Sequence, residues 1–214
     1  MWRRVATALG IVGGTVAVHE AAHAVAAVRG GGTVKEVGIG FGPPLLRTRV
    51  GSLPLVIRAF PLGGYAAVDV DRIPPRRRIR MLLAGPLANI ALGIPLLYGL
   101  RHHPTVQLAE EGRPVGLTGF VGTFSALFQA AGQGAGSLGR LAGGINVGLG
   151  LMNLMPIYPL DGGHVVTSLM ESRGASPRVR TAFMRITAVA FALLVQSAMM
   201  ADFRRLASRR RPGA

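Results

Sequence analysis

The chain has 214 residues, a net charge of +15 at pH 7 and a hydrophobic content of 50%, and its mean hydropathy is positive at +0.42. It contains no cysteine, which excludes disulfides, thiolate metal sites and cysteine nucleophiles. The 24 basic residues, almost all Arg, sit between apolar runs, the pattern of juxtamembrane charge and not of a nucleic-acid-binding face.

The first apolar run, 5–28, is free of Lys and Arg. It is long enough to cross a hydrocarbon core, which takes about 20 residues. Its flank "MWRR" resembles the start of a signal peptide, but His19, Glu20 and His23 inside the run do not fit one. Residues 29–80 are the longest polar segment. β-branched stretches predict short strands near 33–39, 45–50 and 53–59, with turns at "GFGPP" and "GS". "PLGGYAAV" reads as a sheet edge at which Gly63 and Gly64 let backbones approach, and Tyr65 follows them. A basic cluster, "DRIPPRRRIR", precedes a second apolar run at 81–100. Within the connection 101–140, "FVGTFSALFQAAG" predicts an amphipathic helix at a membrane surface. Third and fourth runs follow at 141–160 and 186–201, and a basic tail closes the chain.

The expectation is therefore a mainly α membrane protein with about four transmembrane helices. A small β-hairpin or sheet region is expected between the first and second, and all of 1–214 forms one membrane-embedded domain in a lipid bilayer. Fourteen of the 24 basic residues fall in 29–80 and 171–185, which predicts that side to be cytoplasmic and both termini to lie outside.

Three ionisable groups within five residues of an apolar span are costly and point to function. On a helix, His19 and His23 lie one turn apart on one face and can address one metal ion. Glu20 is close enough to serve a water at that ion. The pattern HExxH on a helix is that of zinc hydrolases, with two imidazole ligands and a carboxylate base. Zinc needs a third protein ligand. Asp161, at the end of the third run in "LMNLMPIYPLDGGHVV", is the favoured candidate, and His164 is its competitor.

These residues resemble the site-2 protease family of intramembrane zinc metalloproteases. The two hallmarks stand here as "HEAAH" (19–23) and "NLMPIYPLDGG" (153–163). Between them, in order, "GFGP" (40–43), "PLGGY" (61–65), "AGPLAN" (84–89) and "PVGLTGFVG" (114–122) are similar to further family segments. The resemblance implies His19, His23 and Asp161 as ligands of one zinc ion and Glu20 as catalytic base. It implies Asn153 as a contact to the substrate backbone or developing oxyanion. It also implies an active site towards the cytoplasmic side of the inner (plasma) membrane. Substrates would be single-span membrane proteins, often anti-sigma factors, already shortened by a first protease. About 40 residues separate the second and third runs, too few for a PDZ domain, so a minimal catalytic core is expected.

Cutting a helical substrate requires local unwinding, and lipid penalises the freed backbone groups. A sheet edge that accepts the extended segment compensates, and 61–68 is the expected source. Two alternatives use the same residues: a membrane metal-binding or transport protein, and an inactive relative that binds transmembrane segments. Glu20 separates transport from hydrolysis, since only hydrolysis needs a base there.

Overall fold

A computed structural model describes residues 1–70, 72–103 and 120–209. The elements in chain order are α1 (Trp2–Arg29), β1 (Thr33–Val50), β2 (Leu53–Asp69), α2 (Pro75–Gly99), α3 (Phe120–Gln133), α4 (Ala135–Asn153), α5 (Asp161–Ser172) and α6 (Pro177–Arg209). The "PVGLTGFVG" segment falls mostly outside the described residues.

Among the described residues, three helices are long and apolar enough to cross a membrane: α1, α2 and the 177–201 part of α6. The expected third span differs. The helix there begins at Ala135 and stops at Asn153, so 154–160 is not helical. Apolar composition continues through "LMPIYPL", but Pro156 and Pro159 cannot supply the amide donors a helix needs. α4 carries Arg140 and many glycines, and it packs against α2, α3 and α1. By contrast, no residue in the apolar stretch of α6 is buried within the protein.

α1 ends at a glycine triplet. Gly31 adopts φ 89°, and the Gly30 amide donates to Ala26 O at 2.9 Å. Gly32 has no room for a side chain because Ile73 packs against it. Ile73 joins Ala24, Ala27, Val34, Val37, Met81 and Leu82 in a core at the junction of α1, the sheet and α2.

β1 and β2 pair antiparallel in one sheet. The "GS" turn lies where expected, with Gly51 at φ 59°. "GFGPP" does not end a strand. Gly40 and Gly42 take positive φ, and the chain runs on as one long strand with register shifts there. Residues 33–39 lie opposite 64–69 on one side, and 37–39 have 55–57 on the other, while 44–50 lie opposite 53–58. Among the described residues the outer side of 64–69 has no strand partner, so this arm of β2 is an edge.

"FVGTFSALFQAAG" does form a helix, α3. Its Ala126, Leu127 and Ala130 are fully buried, and it contacts α4 and α1.

Two small-residue stripes bring α2 and α4 together. On α2, Pro86, Asn89 and Gly93 share one face, as do Gly143, Asn146 and Gly150 on α4. A Cβ on Gly93 would sit 2.6 Å from Gly143 O, and one on Gly150 would sit 2.6 Å from Pro86 O. Backbones this close are what small residues permit between membrane helices.

Candidate metal centre

α1 carries His19, Glu20 and His23 on a buried stretch, with 7%, 8% and 7% of their surface exposed. Asp161 arrives from the far end of the chain. It is the first residue of α5, where the helix dipole favours a carboxylate. Gly162 and Gly163 let that helix start directly against the backbone of 154–158: a Cβ on Gly163 would lie 2.5 Å from Tyr158 N. The Tyr158 amide in turn donates to Thr187 Oγ1 at 3.1 Å, which fastens the loop to α6.

The result is a tight cluster. His19 Nε2 lies 3.0 Å from Asp161 Oδ2 and 3.1 Å from His23 Nε2, and His23 Nε2 lies 3.2 Å from the same carboxylate oxygen. Among the described residues, His19, His23 and Asp161 are the three whose ligand atoms converge within 4.8 Å. His164 does not join them. It lies one turn along α5, its ring 4.9 Å from that of Tyr158.

The outer nitrogens of both imidazoles are already committed. His23 Nδ1 is 2.7 Å from the Met81 backbone carbonyl, which can only accept, so Nδ1 carries the proton. His19 Nδ1 faces Asn89 Oδ1 at 3.0 Å. Both Nε2 atoms therefore turn lone pairs towards the Asp161 oxygen. Three acceptors at these separations repel unless a cation lies among them. Ligands about 2.0–2.1 Å from a tetrahedral zinc are themselves about 3.3 Å apart, close to the spacing here. The donor set fits such an ion.

Glu20 is different in kind. Its carboxylate makes no hydrogen bond among the described residues. It lines a cavity of about 660 Å³ together with the two histidines and Asp161. Its oxygens stay open to that cavity, which leaves the carboxylate free to accept a proton from a water there. Asn153, the last residue of α4, lines the same cavity and donates to Leu149 O of its own helix at 3.0 Å. Gly64 and Tyr65 line it from the sheet edge. A Cβ on Gly64 would lie 2.6 Å from Val16 Cγ1 and 2.9 Å from Glu20 Cγ, so the edge touches α1 beside Glu20. Gly63 lies just outside the lining, at φ 94° against Phe41.

Tyr65 has a further task. Its hydroxyl donates to Glu36 and also accepts from Arg58 Nη2 at 2.8 Å. The Tyr65 hydroxyl first, and then Arg58, hold the Glu36 carboxyl below the usual carboxylate range. At the far end of the cavity, Glu171 accepts from Arg78 at 3.0 Å and lies 3.1 Å from Arg180, tying α5 to α2 and α6. Glu171 is thus a helix residue paired with guanidinium groups and stands apart from the metal cluster.

The sequence pattern of peptidase family M50 matches residues 7–195. The chain belongs to peptidase family M50. Among similar proteins, zinc metalloprotease Rip1 of Mycolicibacterium smegmatis is 33% identical, over 45% of this chain and 31% of its own length. A putative zinc metalloprotease of Synechocystis sp. is 35% identical, over 43% of this chain and 29% of its own. The matched part thus spans less than a third of either relative. A solved site-2 protease from Methanocaldococcus jannaschii aligns over 90% of this chain and 68% of its own, with a TM-score of 0.49 and 20% identity. Three apolar helices of spanning length within an M50 chain make this a membrane-embedded protein.

Sequence reasoning passed over Asn89, Asn146 and Gly85. Asn89 was visible only as part of "AGPLAN". A polar residue inside an apolar run, with none of its surface exposed, is the signal that finds it. Gly85 left no signal of its own in the sequence, because what it accommodates, the His23 ring, comes from another helix.

Proposed function

We propose that this M50 chain is an intramembrane zinc metalloprotease that hydrolyses a peptide bond in or near the transmembrane segment of single-span membrane proteins. The convergence of His19 Nε2, His23 Nε2 and Asp161 Oδ2 beside the unpartnered Glu20 carboxylate carries this reading.

His19, His23 and Asp161 hold the ion. Zinc, when bound, supplies a Lewis acid that polarises a carbonyl and makes water acidic near neutral pH. Glu20 takes the proton from the attacking water on its carboxylate and passes it to the leaving amine nitrogen. Asn153 orients the substrate carbonyl from the end of α4. The open edge at 64–69 takes the unwound substrate as an added strand, so its backbone groups stay paired. Gly64 brings that strand against Glu20, and Gly63 supplies the bend before it. Tyr65, held by Glu36 and Arg58, borders the same strand.

The distribution of Arg supports a site opening to the cytoplasmic side of the plasma membrane. With α4, packed against α1, α2 and α3, also carrying the chain across the bilayer, the sheet, the start of α2, Asp161 and the start of α6 share that side and both termini lie opposite.

The test uses purified protein in liposomes with a single-span membrane protein as substrate. Stripping metal with a chelator is expected to abolish cleavage, and stoichiometric Zn²⁺ to restore it. Cleavage that survives complete metal removal overturns the proposal.

A further inference from the structure

Beyond the three ligands, α1, α2 and α4 share a buried polar chain that ends on His19. Thr15, Asn89 and Asn146 are 4%, 0% and 3% exposed. We propose that Asn146 and Asn89 form a relay that fixes the His19 ring with its proton on Nδ1, and so makes Nε2 a metal donor. The inference rests on the metal-site reading above and assigns Asn89 as a positioning residue for that site.

Hydrogen-bond polarity along the chain is determined by two backbone carbonyls. Asn146 Nδ2 donates to Ala142 O at 2.9 Å and to Thr15 Oγ1 at 3.0 Å. Since a carbonyl only accepts, this end of the amide is the NH2 group, and Oδ1 must point the other way. Asn146 Oδ1 accepts from Asn89 Nδ2 at 2.9 Å, which also donates to Thr15 O at 3.2 Å. Asn89 therefore turns its own Oδ1 outward, to His19 Nδ1 at 3.0 Å. Only an N–H can meet that oxygen. Turning either amide over would set like groups against each other where no water can compensate.

The two ligating histidines are thus held by different means. His23 is oriented by the Met81 backbone carbonyl, which no side-chain substitution removes. His19 depends on a side chain from another helix. That side chain reaches it because the glycine stripes bring α2 and α4 close: Asn89 lies between Pro86 and Gly93, and Asn146 between Gly143 and Gly150. Outer partners of metal-bound histidines set ring orientation and donor strength, and losing one weakens metal binding about 10- to 100-fold.

Metal-free wild type, Asn89→Leu and Asn89→Asp are titrated with Zn²⁺ against a chromophoric chelator, and with Co²⁺ while its visible absorption is recorded. Asn89→Leu is expected to bind about 10- to 100-fold more weakly, with an altered Co²⁺ spectrum. Asn89→Asp keeps an acceptor for Nδ1–H but sets its second oxygen against Asn146 Oδ1 and Thr15 O, so it is expected to bind metal more tightly than Asn89→Leu while melting below wild type. Unchanged affinity in Asn89→Leu, with only a lower melting temperature, overturns the relay. A second measurement does not depend on any variant folding. The ¹⁵N spectrum of histidine-labelled, metal-free wild type at alkaline pH should show His19 protonated on Nδ1, and protonation on Nε2 overturns the inference. Wild type that binds no metal would instead defeat the functional reading itself, which keeps the two failures apart.

Discussion

Replacing Glu20 with Gln is expected to stop hydrolysis while leaving the metal in place. The amide has the shape of the carboxylate, so the cavity and the three ligands are undisturbed. It cannot take a proton from water at neutral pH. Positioned general bases contribute about 10²- to 10⁴-fold to rate, and a loss of that size is expected here. Rates in liposomes and metal content of the same preparations check it. Cleavage by Glu20→Gln within a few-fold of wild type removes the base from the mechanism. Loss of metal would make Glu20 a ligand, contrary to its separation from the cluster.

The second large effect comes from a residue with no side chain. Gly85 on α2 faces the His23 ring so closely that a Cβ there would collide with Nε2 and lie 2.7 Å from Cε1 and 2.8 Å from Cδ2. The ring cannot swing aside, because its Nδ1 is bonded to Met81 O and the residue is buried. Gly85→Ala is therefore expected to displace a ligand, lowering metal affinity by two orders of magnitude or more and activity with it. Ala in a helix interior is by itself about 1 kcal/mol better than Gly, so helix weakening cannot account for such a loss. Gly144→Ala is the control, since nothing lies within 4 Å of a Cβ there. Metal titration of both variants decides: equal affinities would mean that His23 has freedom the packing denies it.

Much of this site could be read from the chain because its chemistry is local in sequence. HEAAH places two imidazoles one helical turn apart without help from the rest of the protein. Asp161 stands out as a carboxylate at the end of an apolar run, although that it begins a new helix, α5, shows only in the structure. The sheet between α1 and α2 was equally legible from its β-branched residues and from the turn at Gly51. Where the reading departed from the structure, composition had stood in for backbone chemistry. The run 141–160 is free of charge and mostly apolar, yet Pro156 and Pro159 end the helix at Asn153 and free the loop that delivers Asp161. "GFGPP" looks like a turn, but two glycines at positive φ absorb the bend inside a continuous strand. Asn89 and Gly85 meet side chains of α1 that lie far off in sequence, and no local pattern announces a contact such as that of Asn89 with His19, 70 positions apart.

The central claim is that His19, His23 and Asp161 share one ion. X-ray absorption of the zinc-loaded protein, wild type beside Asp161→Ala, tests it most directly. The expected wild-type spectrum shows one zinc per chain with two imidazoles and oxygen ligands at about 2.0–2.1 Å. Asp161→Ala should lose the metal or show a changed oxygen shell. A stoichiometric ion with the same spectrum in both proteins, or a wild-type ion with fewer than two imidazoles, would contradict it.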